Sequence, residues 1–217
     1  MTGTQIIEQF ETIIDDTLDQ TQELIILNMA KSQIEGGRDW NFLRAYDGSI
    51  TANASDTYLT AHTLPTGFLS PRKLYLNGEL TPYMLIPFEE RDRYKDIYKR
   101  WYIDWINQQF FLCGKVGQAT AIHLFFQKYT DDVTLTTSPQ WPTIFHPLIA
   151  FKMAEIFMSG MEADEVNRAM APANRLIQKE LLNQMILWDA KMKTMEYNDR
   201  NAGVVDIDSY PDIVGRI

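Results

Sequence analysis

The hydrophobic pattern of this chain changes character twice, and that limits its fold more than any motif does. Near the start, Ile6, Phe10, Ile13 and Ile14 recur by threes and fours, which places them on one helical face. The polar stretch from Asp15 to Gln20 breaks that pattern. A second helix follows, with Leu24, Leu27 or Asn28, and Ile34 along one side. Gly36-Gly37 is expected to end it, because glycine tolerates the left-handed terminal conformation.

From Ala45 to Leu135 the chain turns strand-like, with Thr, Tyr, Ile and Val between turn residues. Asn77-Gly78 lies between Lys73–Leu76 and Glu79–Met84, which predicts a hairpin with a type I′ turn. A second hairpin is expected to join Gln109–Cys113 to Ala119–Gln127 through Gly114-Lys115-Val116-Gly117. Thr120, Ile122, Leu124 and Phe126 share one face of its second strand. Between the hairpins, Pro87 opens Phe88–Tyr98, read as a helix with Glu89 and Glu90 near its positive end.

The last third returns to helix. Pro142 starts one, Ser159-Gly160 stops it, and Leu148, Ile149, Met153 and Phe157 fall on its apolar side. Val166, Met170, Ala173, Ile177, Leu181, Met185, Trp188, Met192 and Met195 then repeat by threes and fours, with a break or kink expected at Pro172. At helical spacing this methionine-rich stripe reads as core, with an adaptable contact surface as the other reading. Beyond Tyr197 the spacing ends, and 201–217 reads as an extended tail. The fold expected is α+β: a bundle of two N-terminal and two or more C-terminal helices, an inserted antiparallel β region and an extended C-terminal arm. The divisions fall at 1–44, 45–138, 139–197 and 198–217.

Composition excludes several classes. The 217 residues are 45% hydrophobic and 23% charged, as in folded proteins. A formal charge of −9 argues against a general nucleic-acid binder, which needs a positive footprint. The single cysteine, Cys113, excludes an intrachain disulfide. No apolar run approaches the ~18 residues of a membrane helix, and the first residues do not read as a signal peptide.

Catalytic motifs are missing. The sequence has no phosphate loop, dinucleotide fingerprint or nucleophile elbow. His62, His123 and His146 stand far apart, without the converging donors a zinc site needs, so no metal or cofactor is expected. Asp15-Asp16, Glu89-Glu90 and Asp131-Asp132 are adjacent pairs, better explained as caps and turns than as a facing acid–base pair. One segment is unusual. Arg91, Arg93, Lys95, Lys99 and Arg100 interleave with Tyr94, Tyr98, Trp101, Tyr102 and Trp105, and three aspartates leave it at +2. Such a segment can form a subunit interface, stack on single-stranded nucleic acid, or simply be surface.

The order of elements carries a resemblance. Two helices lead into Arg38-Asp39-Trp40-Asn41-Phe42-Leu43-Arg44. Then come Leu64-Pro65, Phe68, Arg72–Gly78 and Thr136-Thr137-Ser138-Pro139, followed by two amphipathic helices and a tail. This resembles the head-to-tail adaptor (connector) proteins of tailed bacteriophages over roughly Ile6 to Tyr197. The resemblance implies a structural virion protein with no shared catalytic residues and no cofactor. It implies a ring, typically of twelve, that docks on the portal protein, meets a downstream tail protein and lets DNA pass without specific binding. It places the protein at the head–tail junction of the virion, and in host cytoplasm during assembly. The tail residues Val204, Val205, Ile207, Tyr210, Ile213, Val214 and Ile217 are then candidates for portal contact. Arg91, Arg93, Lys95, Lys99, Arg100, Trp101 and Trp105 are candidates for a subunit interface or lumen. Two other readings stay open: a virion-associated hydrolase, for which Glu89 with Asp131 or Asp132 are arbitrary candidates, and a nucleic-acid module using 91–105.

Overall fold

A computed structural model describes residues 1–160 and 163–200, the side chains of 193–200 apart. Its class is α+β, as expected. Helix α1 (Gly3–Ile14) opens with a capping box: the Thr2 hydroxyl accepts from Gln5 N–H, and the Gln5 side chain accepts from Thr2 N–H. Asp15 closes it in the left-handed conformation, φ 52°. Helix α2 (Gln20–Gly36) is capped by Asp19. Gly37 ends it, but at φ −72° in the right-handed region, bonding to the Ile34 carbonyl. The glycine stops the helix without the left-handed turn expected of it.

The described β region forms two four-stranded sheets. In the first, β8 (Thr120–Lys128) is central. β1 (Arg44–Asp47) and β2 (Thr51–Ala52) pair along one edge and β4 (Phe68–Leu76) along the other, all antiparallel. The second sheet runs in the order β3 (His62–Thr63), β7 (Gln109–Cys113), β6 (Arg100–Asp104), β5 (Met84–Leu85), with β5 and β6 parallel. Ile122, Leu124 and Phe126 point inward, as their alternation predicts, and meet Trp101, Ile103, Phe110 and Leu112 of the other sheet.

Both expected hairpins pair differently. β7 turns back on β6, through a turn whose N–H groups at Ile106 and Asn107 bond to the Asp104 carboxylate. Gly114–Gly117 is therefore a crossing between sheets. Gly114 holds φ 75°, donates to the Lys95 carbonyl and leaves no room for a Cβ beside Tyr98. At Asn77-Gly78 only Gly78 has positive φ, the pattern of a type II turn and not type I′. One bond returns, Tyr83 N–H to the Leu74 carbonyl, before Met84–Leu85 departs to pair with β6. The helix expected over Phe88–Tyr98 is one 3₁₀ turn (Phe88–Glu90) and the single-turn α3 (Arg91–Tyr94). It stops there because the carbonyls of Tyr94 and Lys95 accept from Ile97 and Gly114.

Helix α4 (His146–Met158) packs against α1, α2 and the last helix, α5 (Glu165–Arg200). Ile6, Phe10, Leu27, Ile34, Leu148, Ile149, Met153 and Met185 form this helical core. Helix α5 runs through Pro172 without ending, contrary to the expected break. Its stripe is also only half core. Met185 is buried and Leu181 and Trp188 pack partly, but Val166, Met170, Ala173 and Ile177 face outward. In that first half the buried positions are Asn167 and Asn174, and the Asn174 amide donates to the Phe151 carbonyl at 3.0 Å.

Candidate functional site

The Arg38–Arg44 passage builds the junction between helices and sheets. Trp40 is buried and its indole donates to the Ile34 carbonyl at 2.8 Å. Arg38 lies over the Trp40 ring, and its carbonyl accepts from the Gln127 amide of β8. Arg72 of β4 reaches both the Trp40 carbonyl and the Asp39 carboxylate, each at 2.8 Å. Phe42 touches the rings of Trp40, Trp141 and Trp188. On α5, the buried Asp189 accepts from Asn41 N–H and from the Asn41 amide, each at 2.8 Å. One short passage thus holds α2, β4, β8 and α5 together.

A second set of buried polar groups, not anticipated from the sequence, ties α2 to the connector between β8 and α4. Lys31 donates to the Thr130 and Asp131 carbonyls and stands 3.7 Å from Glu35. Glu35 accepts from Thr130 N–H and from the Trp141 indole. The sequence does carry a signal. Lys31 sits four residues from Leu27 on a buried face, where a lone cation needs a partner, and Glu35 is four residues further on.

The seven residues proposed for an interface or lumen do not form one patch. Trp101 is 2% exposed and packs on Phe110, so that member belongs to the core; as part of β6 it faces the other sheet. Lys99 binds Glu79 at 3.0 Å and Thr81, and Arg100 donates to the Lys99 carbonyl. Arg91 covers the Phe88 ring and Arg93 the Tyr94 ring. Lys95 is exposed, and Trp105, half exposed, meets Phe68. Trp105 also lines an open groove of about 420 Å³ with Leu85, Ile86, Pro87, Phe88, Glu89 and Ile103. The tail candidates Val204, Val205, Ile207, Tyr210, Ile213, Val214 and Ile217 lie outside the described residues.

The groups with chemical potential are scattered. Burial pushes the Cys113 thiol up to about 11, which leaves it protonated at neutral pH. His62 stacks on Phe110, His123 accepts or donates to the Tyr46 hydroxyl at 2.6 Å, and His146 bonds to the Met1 amine and the Trp141 carbonyl. Among the described residues no three His, Cys, Asp or Glu side chains are placed to hold a metal ion. No described helix is long and apolar enough to cross a membrane. Asp131 accepts from Gln140, while Glu89 stands on the 3₁₀ turn beside the second sheet.

What the molecule does present is surface. The outward phase of β8 carries His123 and Phe125, which join Tyr46 and Tyr75 in an aromatic cluster on the first sheet. Helix α5 presents its apolar line. These features suit contact with other proteins, and the family model for the SU10 adaptor protein matches residues 1–203. The chain belongs to that family. The match bears out the resemblance drawn from the order of elements around the Arg38–Arg44 passage and makes this a phage adaptor with a structural part to play. No curated protein matches the adaptor. Its junction, built from backbone carbonyls and buried rings, holds the helical layer and the sheets in one relation, as a connecting part requires.

Proposed function

We propose that this adaptor is a ring subunit at the head–tail junction of a tailed phage, docked on the portal protein and joined on its other side to a tail protein. Membership of the adaptor family over 1–203 carries this reading. The exposed aliphatic side chains of α5 support it, because a single copy leaves Val166, Leu176 and Leu187 at least 66% exposed. The formal charge of −9 supports a central conduit along which DNA slides without sticking. In this reading the apolar residues Val204 to Ile217 reach the portal, and the ring is a dodecamer.

Copy number tests the proposal first. Quantitative mass spectrometry of purified virions, with the portal as internal reference, is expected to give one adaptor per portal chain. Several-fold fewer copies would identify a different tail component. Removing 201–217 is expected to weaken portal binding while leaving the circular-dichroism spectrum unchanged; equal binding by the shortened chain overturns the tail assignment.

A further inference from the structure

We propose that the outward face of the first sheet, where Tyr46, Phe125, His123 and Tyr75 lie around Lys73, is a stacking platform for the unpaired bases of a single-stranded nucleic acid. The inference stands apart from the ring reading and asks nothing of it. Register builds the face. On the central strand, His123 and Phe125 alternate with the buried Leu124 and Phe126 and so point away from the core. Phe125 lies opposite Tyr46 on β1 and opposite Lys73 on β4, and His123 lies opposite Tyr75. Residues paired in this way share a face, so three adjacent strands raise four rings and one ammonium on the same side.

The rings are ordered and open. Between centroids, Phe125 is 5.0 Å from Tyr46 and 6.0 Å from Tyr75, and Tyr46 stacks on His123 with 14° between their planes. The Tyr46 hydroxyl and His123 Nδ1 share a hydrogen bond of 2.6 Å, which fixes both rings on the sheet. Tyr46 nevertheless stays 55% exposed and Phe125 40%. Rings held in place before anything binds lose little freedom when a base stacks on them.

Charge selects the occupant. Exposed rings alone would suit a protein partner. Lys73, however, is exposed and stands beside Phe125 in the middle of the face, and charged residues are depleted from the centres of protein interfaces. A cation among ring faces is instead the composition of single-strand sites, where bases stack and phosphates pair with the cations. The strands of this sheet agree. They carry Arg44, Arg72, Lys73 and Lys128 against the single carboxylate of Asp47, in a chain whose formal charge is −9. Arg44 is exposed two residues from Tyr46, on the same face. Asp47 is turned to the Ser49 N–H and hydroxyl, and Asp39 is held by Arg72. A duplex keeps its base faces stacked inside, so the platform offers it nothing and a conduit for duplex DNA is unaffected.

The test uses the full-length protein and fluorescence anisotropy with three labelled probes of roughly 12 nucleotides: oligo(dT), its duplex with oligo(dA), and an abasic strand. At low salt, oligo(dT) is expected to bind about tenfold or more tightly than either of the others. Its affinity is expected to fall with salt at a log–log slope of about −1.4, for two phosphate contacts. Phe125→Ala and Tyr46→Ala are each expected to weaken it about tenfold, and Lys73→Gln to reduce the slope by about half. Melting curves identify the variants that are folded, and Lys73→Gln, an exposed substitution, tests the face should a ring variant unfold. No binding of oligo(dT) at low salt overturns the platform. Equal binding of the abasic strand overturns stacking, and equal binding of the duplex overturns the preference for unpaired bases. Binding lost with Arg93→Gln and Lys95→Gln but kept with Phe125→Ala moves the site to the 91–105 segment and overturns this one. A Phe125→Ala adaptor that binds oligo(dT) normally but no longer sediments with portal or tail protein marks the face as a protein interface and overturns it too.

Discussion

Asp189 of the long C-terminal helix accepts the backbone N–H of Asn41 at 2.8 Å and, more weakly, that of Phe42 at 3.3 Å. The carboxylate caps the 3₁₀ turn Asn41–Leu43 from a helix 148 residues further along the chain. Without it, two backbone donors lose their partner in a partly buried site, and the Asn41 amide keeps only its 3.3 Å bond to the Asp189 carbonyl. Asp189→Ala is expected to lower stability by about 2–3 kcal/mol. Urea unfolding checks this, as a fall in midpoint with unchanged slope.

The Lys31–Glu35 pair is almost fully buried on both sides. Replacing either alone leaves an uncompensated buried charge. Lys31→Met and Glu35→Gln are each expected to cost about 3–5 kcal/mol. The double variant is expected to cost clearly less than their sum, because no charge is then stranded. A double-mutant cycle in denaturant measures the difference; strict additivity would show the pair to be uncoupled.

Gly114 combines φ 75° with a backbone neighbour, Tyr98 Cα, that a Cβ would meet at 2.9 Å. Gly114→Ala is expected to destabilise by more than about 1 kcal/mol, since the strained conformation and the contact act together. Calorimetry of the variant beside Gly117→Ala, where a Cβ meets nothing within 4 Å, separates this from a general glycine effect.

Stability should also fall on mild acidification. Burial lowers the pKa of His62 below 6.5, outweighing the nearby Asp56, and burial lowers His146 in the same sense. The unfolded chain then binds protons that the folded chain refuses. Stability is full above about pH 6.5 and declines as pH drops toward the lowered folded values. His62→Gln is expected to flatten part of that slope, leaving the share of His146. Thermal melts across the pH range check both.

The helices and the junction were legible in the sequence because their signals are local. Ile6, Phe10 and Ile14 declare α1 by spacing alone, and Trp40 and Leu43 are buried as large apolar residues beside a helix end should be. The strands were legible as strands and misread as pairs. Gln109–Cys113 looks as ready to pair forward across Gly114–Gly117 as backward, and only the shared core of the two sheets decides for β6. Periodicity also identified α5 without identifying which line faces inward, because Asn167 and Asn174 are buried and the Asn174 amide bonds to the Phe151 carbonyl of α4, a partner that no spacing reveals. Trp101 shows the same limit. Its cationic neighbours made it look superficial, while its alternation within β6 turns it to the core.

The central place of β8 has a consequence for how the protein is made. Strands β1, β2 and β4 all wait for Thr120–Lys128 before they can pair, and α1 and α2 wait for α4. Even the first turn of α1 donates to carbonyls at Leu135 and Thr137. Such long sequence separations slow folding and postpone it until most of the chain has left the ribosome. A nascent or interrupted chain therefore lacks both cores, and only a finished subunit can present the surfaces from which a larger particle is built.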